Sequence, residues 1–108
     1  MVRVERRLLR GRRIGDGLFA VIATSNQLGA ARLGLAVAVR AAGGAVGRNR
    51  IRRIIRESFR LHRAEIPAID LVVSARPRVR EASPAELRAS LAALWKKIAE
   101  QCPTSPRS

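Results

Sequence analysis

Residues 48–63 read Arg48-Asn49-Arg50-Ile51-Arg52-Arg53-Ile54-Ile55-Arg56-Glu57-Ser58-Phe59-Arg60-Leu61-His62-Arg63. Advanced about 100° per residue, Arg48, Arg52, Arg63, Arg56, Asn49, Arg60 and Arg53 fall in one continuous sector of about 140°. Ile51, Ile54, Ile55 and Leu61 fall opposite, so the stretch predicts an amphipathic helix with a guanidinium face and a core face. A solvated helix face is normally laced with acid–base pairs at i, i+4, yet Glu57 is the only acid among seven arginines. Like-charge neighbours on such a face repel, and a polyanion covering it removes the penalty. Arginine also suits phosphate, because its planar fork gives two parallel hydrogen bonds and stacks on bases. The sector reads as a nucleic-acid-binding face. His62 lies on the apolar side near the helix end, the position of a packed or helix-terminal histidine.

The flanks place this helix, over about residues 45–63, in a frame. Upstream, Arg32 to Val39 alternates: Leu33, Leu35, Val37 and Val39 point one way, and Arg32, Gly34, Ala36, Ala38 and Arg40 the other. The second face is small and flanked by arginine, which fits either close packing against a helix or a shallow trough open to a ligand backbone. Downstream of Pro67, Ile69–Ala75 predicts another strand. Two strands joined by a long helix make a βαβ unit with parallel pairing. Further out, the turn signal Gly15-Asp16-Gly17 introduces a buried strand over Leu18–Ala23, and Thr24–Ala31 reads as a loop. Ser83, Pro84 and Glu86 form a capping box that starts a last helix with the core stripe Leu87, Leu91, Leu94 and Ile98, Trp95 alongside. Val4 and Leu8 share a helical face, so a short first helix over Val2–Arg10 ends at Gly11. Pro103 to Ser108 reads as a frayed tail.

The expectation is one small α/β (α+β) domain in the order helix, strand, strand, helix, strand, helix, with one sheet face partly open. A length of 108 residues allows one domain, and 47% hydrophobic residues can build its core. Lys and Arg number 22 against 8 Asp and Glu, a net charge of +14, and all but Lys96 and Lys97 are arginine. A core-forming chain this basic calls for a polyanionic partner. Several classes fall away. One cysteine, Cys102, and one histidine cannot make a metal site or an internal disulfide. No paired carboxylates and no Ser/His/Asp group are legible, so a stand-alone nuclease is disfavoured. No apolar run approaches the roughly 18 residues of a membrane span, and the long helix spends its apolar face on its own sheet. A free thiol and no legible export signal lead to the expectation of a cytoplasmic protein.

From Gly44 through Ala45-Val46-Gly47-Arg48-Asn49 to Phe59-Arg60, the chain resembles the protein subunit of bacterial ribonuclease P. That family carries an Ala-Val-x-Arg-Asn-x-hydrophobic-Lys/Arg-Arg-x-hydrophobic-Arg core ending near a Phe. Arg32-Leu33-Gly34-Leu35 resembles the strand before that core, Asp70 to Arg76 the strand after it, and Gly11-Arg12-Arg13 the turn after the first helix. Ordered correspondences run from about Val4 to Lys97, so the resemblance implies a family domain over 1–102 and a disordered tail over 103–108.

The resemblance implies a ribosomal-protein-like two-layer fold whose βαβ crossover is left-handed, against the usual right-handed rule. It implies an RNA–protein endoribonuclease that removes the 5′ leader of precursor tRNA, with the hydrolysis performed by the RNA subunit and its Mg²⁺. The protein then supplies no catalytic residue, metal ligand or cofactor of its own. Carried over by position, the RNA-subunit-facing residues are Arg48, Asn49, Arg52, Arg53, Arg56 and Arg60, in agreement with the wheel. The leader would follow a cleft of sheet and first helix. Here the chain departs from the family: Val4 and Leu8 stand at usual Phe positions, Ile22 at a usual Tyr, and Ala38-Val39-Arg40 at a usual Ser-Lys-Lys. Phe19 is the one aromatic left as a leader contact, and Arg12, Arg13 and Arg40 are expected to carry more of the binding through phosphate. A generic RNA-binding module such as a ribosomal protein is the rival reading, and the Arg-Asn motif separates the two.

Overall fold

The computed structural model describes residues 12–26 and 29–101. The expected first helix and the tail lie outside them. Strands β1 (Arg12–Gly15), β2 (Phe19–Ser25), β3 (Arg32–Ala36) and β4 (Ile69–Ala75) form one sheet in the order β1-β2-β4-β3. One-turn helix α1 (Val39–Ala42) and long helix α2 (Ala45–His62) connect β3 to β4, and α3 (Pro84–Gln101) ends the described chain. The expected βαβ unit is present: β3 and β4 are adjacent and parallel, Arg32 opposite Asp70 and Ala36 opposite Ser74.

Alternation along each strand sorts its side chains between two faces. Phe19, Val21, Ala23, Ile69, Leu71 and Val73 point to one side, where α2 contributes Ile51, Ile54, Ile55 and Phe59 and α3 contributes Leu87, Leu91, Leu94, Trp95 and Ile98. Phe59 and Trp95 meet edge to face at 5.9 Å between ring centroids. The capping box is formed as expected: the Ser83 amide donates to Glu86 Oε1 at 2.7 Å, and the Glu86 amide to Ser83 Oγ at 3.1 Å.

Three expectations need correction. A fourth strand, β1, precedes the three that were legible; of its four residues only Ile14 is apolar and buried. It exists because it pairs with β2 through a tight hairpin, in which the Asp16 carboxylate accepts the Leu18 and Phe19 amides, each at 2.9 Å. The alternating run ends at Ala36 rather than Val39: Val37 turns into the core, and Val39, in α1, is 47% exposed. Leu61, placed by the wheel on the core side, is 70% exposed. The buried sector of α2 is shifted the other way, through Ser58 and Phe59, toward Trp95.

Candidate nucleic-acid interface

The basic helix is positioned by the corner before it. Gly43, at φ 82°, ends α1 in the left-handed region that favours glycine, and its amide donates to the Arg40 carbonyl. A Cβ added at Gly47 would collide with the Ala42 carbonyl oxygen, so α1 and α2 approach as closely as they do only because residue 47 has no side chain. Arg48 Nε donates to the Val37 carbonyl at 2.9 Å, satisfying an acceptor that the end of β3 leaves without a ladder partner. Arg48 is thus half-buried and has a structural task beside its expected one.

Beyond that anchor, Asn49, Arg52, Arg53 and Arg56 come together around a groove of about 340 Å³, with Glu57 as its one acid. Asn49, Arg53 and Arg56 are exposed. Arg52 is half-buried, and its Nε is a buried donor with no hydrogen-bond partner. A buried N–H of this kind is normally satisfied, and an anion in the groove would satisfy it. Arg60 is exposed on the same helix but does not line the groove. His62 proves helix-terminal: its Nδ1–H donates to the Ser58 carbonyl at 2.8 Å. Among the described residues there is no group of three or more metal-ligating side chains.

The sheet's second face is set by register, which no local pattern reveals. Opposite positions make rows: Arg13, Ile22, Val72 and Gly34; then Gly15, Ala20, Ser74 and Ala36; then Thr24, Asp70 and Arg32. Both long helices pack on the other face, so among the described residues the small-residue face of β3 is a trough with no helix seated on it. At one end Arg32 grips Asp70 with two hydrogen bonds of 2.9 and 2.8 Å, and Asn26 Nδ2 donates to the same carboxylate at 2.8 Å. That hydrogen-bonded pairing raises the Arg32 pKa above its ordinary value. Phe19 is not on this face. It is fully buried on the helix side, opposite Ala75, and has no surface for a nucleotide. Arg12 and Arg13 fall on opposite sides of the edge strand, Arg13 with the trough and Arg12 with buried Ile14. Arg40 is exposed on α1. Phe59 and Trp95 are also buried, so none of the three Phe and Trp side chains of this Tyr-free chain is left to stack a base on the trough.

The model of the family Ribonuclease P matches residues 5–99. The chain is 46% identical over 82 residues to the ribonuclease P protein component of Idiomarina loihiensis, a match spanning 76% of this chain and 66% of that protein. It is 40% identical to the corresponding component of Thioalkalivibrio sulfidiphilus, over 84% of this chain and 76% of the relative. Among solved structures, it superposes on the RNase P protein of Staphylococcus aureus with a TM-score of 0.80 at 31% identity, covering 89% of this chain and 88% of that one. For the RNase P protein of Thermotoga maritima the TM-score is 0.78 at 30% identity, over 88% and 90%.

Proposed function

The chain belongs to the bacterial ribonuclease P protein family, and from that premise we propose how its two surfaces divide the work. It is the protein component of an endoribonuclease of tRNA processing, partnered by the ribonuclease P RNA. In our reading α2 docks on that RNA, and the trough receives the 5′ leader of the precursor. The observation that carries the docking role is the Asn49–Arg52–Arg53–Arg56 groove, with its unpartnered Arg52 Nε. Guanidinium groups that lack acid partners bind phosphate without first breaking an ion pair.

On the trough, Ile22 and Val72 offer aliphatic surface, the small residues Gly34, Ala20 and Ser74 let a backbone approach, and Arg13 supplies charge at the edge. Asp70, already gripped by Arg32, repels a phosphate less than a bare carboxylate would. With no aromatic platform, the leader is held through phosphate and aliphatic contacts, and little by stacking. Arg40 extends the basic surface at the end where β3 exits. The hydrolysis belongs to the RNA subunit and its Mg²⁺, and the protein's share is binding and orientation. No described helix is long and apolar enough to cross a membrane, and a cytoplasmic setting goes with the RNA partner.

The test adds purified protein to the RNA subunit and precursor tRNA at low Mg²⁺. Cleavage is expected from the assembled pair and from neither the RNA-free protein nor a mixture with the Arg52→Ala/Arg53→Ala variant at the same concentration. Cleavage by rigorously RNA-free protein would sink this reading. Arg13→Ala is expected to raise KM for leader-bearing precursor and leave mature tRNA binding unchanged; equal effects on both would remove the leader from the trough.

A further inference from the structure

Taken four residues apart, the outward side of α2 forms two parallel rows. Arg48, Arg52, Arg56 and Arg60 make one, a uniform line of guanidinium groups. Asn49, Arg53 and Glu57 make the other, which runs neutral, positive, negative. Arg52, Arg56 and all three residues of the mixed row line the groove. Glu57 is exposed and takes no part in the core. Arg53 and Arg60 are its neighbours on the helix surface, at i−4 and i+3, the spacings at which intrahelical ion pairs form. Neither pair is made: among the described residues Glu57 has no ion pair and no side-chain hydrogen bond.

A carboxylate in a phosphate-binding groove is unfavourable, because it repels every phosphate laid beside it. Glu57 offsets that repulsion neither by packing nor by pairing within the chain. What it offers that the arginines cannot is acceptance: an ionised carboxylate only accepts hydrogen bonds, and a guanidinium only donates them. RNA presents neutral donors as the N–H groups of unpaired bases and as the 2′-hydroxyl, and an ionised phosphate presents none. We propose that Glu57 is a specificity-determining residue of the docking groove, accepting a hydrogen bond from one such neutral donor of the RNA subunit. The inference rests on the docking role of α2. The uniform arginine row follows the phosphate backbone, which all RNA shares, whereas Glu57 at the end of the mixed row tests for a donor at one place. An RNA without that donor sets phosphate or another acceptor against the carboxylate and is repelled. The residue selects as much by rejecting the wrong RNA as by holding the right one.

The experiment compares binding of the full chain to the RNA subunit and to a ribosomal RNA fragment of equal length, at several salt concentrations. Glu57→Ala is expected to bind the fragment more tightly and the RNA subunit no more tightly. The preference between them should fall about tenfold, the effect of losing a hydrogen bond to a charged group. The salt slope on the RNA subunit should not fall, because no phosphate contact is lost. Glu57→Gln drops the charge but keeps an acceptor oxygen, so it should retain part of the preference. Thermal melts of both variants should match wild type, as the side chain is exposed. Equal changes on both RNAs, or a Gln variant that discriminates no better than Ala, reduce Glu57 to a plain negative charge and overturn the proposal. RNA-subunit pools with scattered 2′-deoxy or amino-lacking nucleotides tell the donors apart. A substitution that weakens binding by wild type and not by Glu57→Ala marks the hydroxyl or the base amine, and the absence of any such position also overturns the proposal. An Arg52→Gln/Arg53→Gln control separates the two levels. If the control weakens binding while Glu57→Ala leaves the preference intact, the role of Glu57 is wrong and the docking role stands; if the control changes nothing, the docking role itself is wrong.

Discussion

The Trp95 indole N–H donates to the Ser58 hydroxyl at 2.8 Å inside the seam between α2 and α3. Trp95 is 1% exposed and Ser58 6%, the latter the only buried polar residue among those described. The bond satisfies a donor that would otherwise be stranded in hydrocarbon, and it joins the packing of Ile51, Ile54, Ile55 and Phe59 that sets the rotation of α2 about its axis. Rotation decides which arginines face outward. A core contact thereby helps orient the arginine face.

Ser58→Ala is expected to lower stability by about 1–3 kcal/mol, the penalty for leaving a buried N–H unpaired. Trp95→Phe loses packing as well, but the double variant should be less destabilised than the sum, because Phe leaves no orphan donor. Urea melts of the four proteins check this, and strict additivity would mean the bond contributes nothing.

Arg52→Ala, Arg53→Ala and Arg56→Ala are each expected to weaken RNA-subunit binding and flatten its salt slope by about 0.7–0.9 per phosphate contact. Their melting temperatures should hold or rise as like-charge repulsion is relieved. Arg48→Ala should differ by also losing about 0.5–1.5 kcal/mol of stability, since it releases the Val37 carbonyl. Binding isotherms at several salt concentrations, paired with melts, distinguish the two behaviours.

Gly47→Ala is expected to destabilise the protein by about 1–3 kcal/mol, the range for forcing extra volume into a tight contact, because its Cβ would strike the Ala42 carbonyl. Gly34→Ala should be near neutral, its Cβ meeting Leu71 O and Val72 Cγ2 at an ordinary 3.7 Å. Denaturant midpoints for the two variants measure the contrast.

Burial raises the Asp16 pKa, but the Ser90 hydroxyl, the Phe19 and Leu18 amides and the charge of Lys97 together outweigh it, leaving the value below the ordinary 3.8. Because the folded value is the lower one, the stabilisation is complete above the unfolded pKa and is lost as pH falls through the folded one. Unfolding free energy is therefore expected to drop below about pH 4. Ser90→Ala should shrink that drop, by removing the hydroxyl that lowers the folded value. Denaturant titrations across the acid range read the difference.

What the sequence by itself determined is what local periodicity encodes. The arginine sector of α2, the isoleucine stripe beneath it, the capping box at Ser83 and the strand at Ile69–Ala75 each declare themselves within a few turns or pleats of chain. The partner class follows from charge that no nearby acid balances. Tertiary structure decided everything that depends on a distant neighbour. Strand β1 has one buried apolar residue and exists only as a partner of β2. Phe19 was legible as strand but not as inward-facing, because a shift of one residue in register reverses every side chain of a strand. Leu61 left the core and Phe59 and Ser58 entered it, since the rotation of α2 is set by long-range packing that includes Trp95, 37 residues from Ser58. For the same reason Arg48 acquired a backbone partner, and Arg50, central to the motif in sequence, faces away from the groove that Asn49, Arg52, Arg53 and Arg56 line. Local pattern fixes which residues can share a face. Only long-range packing decides what that face meets.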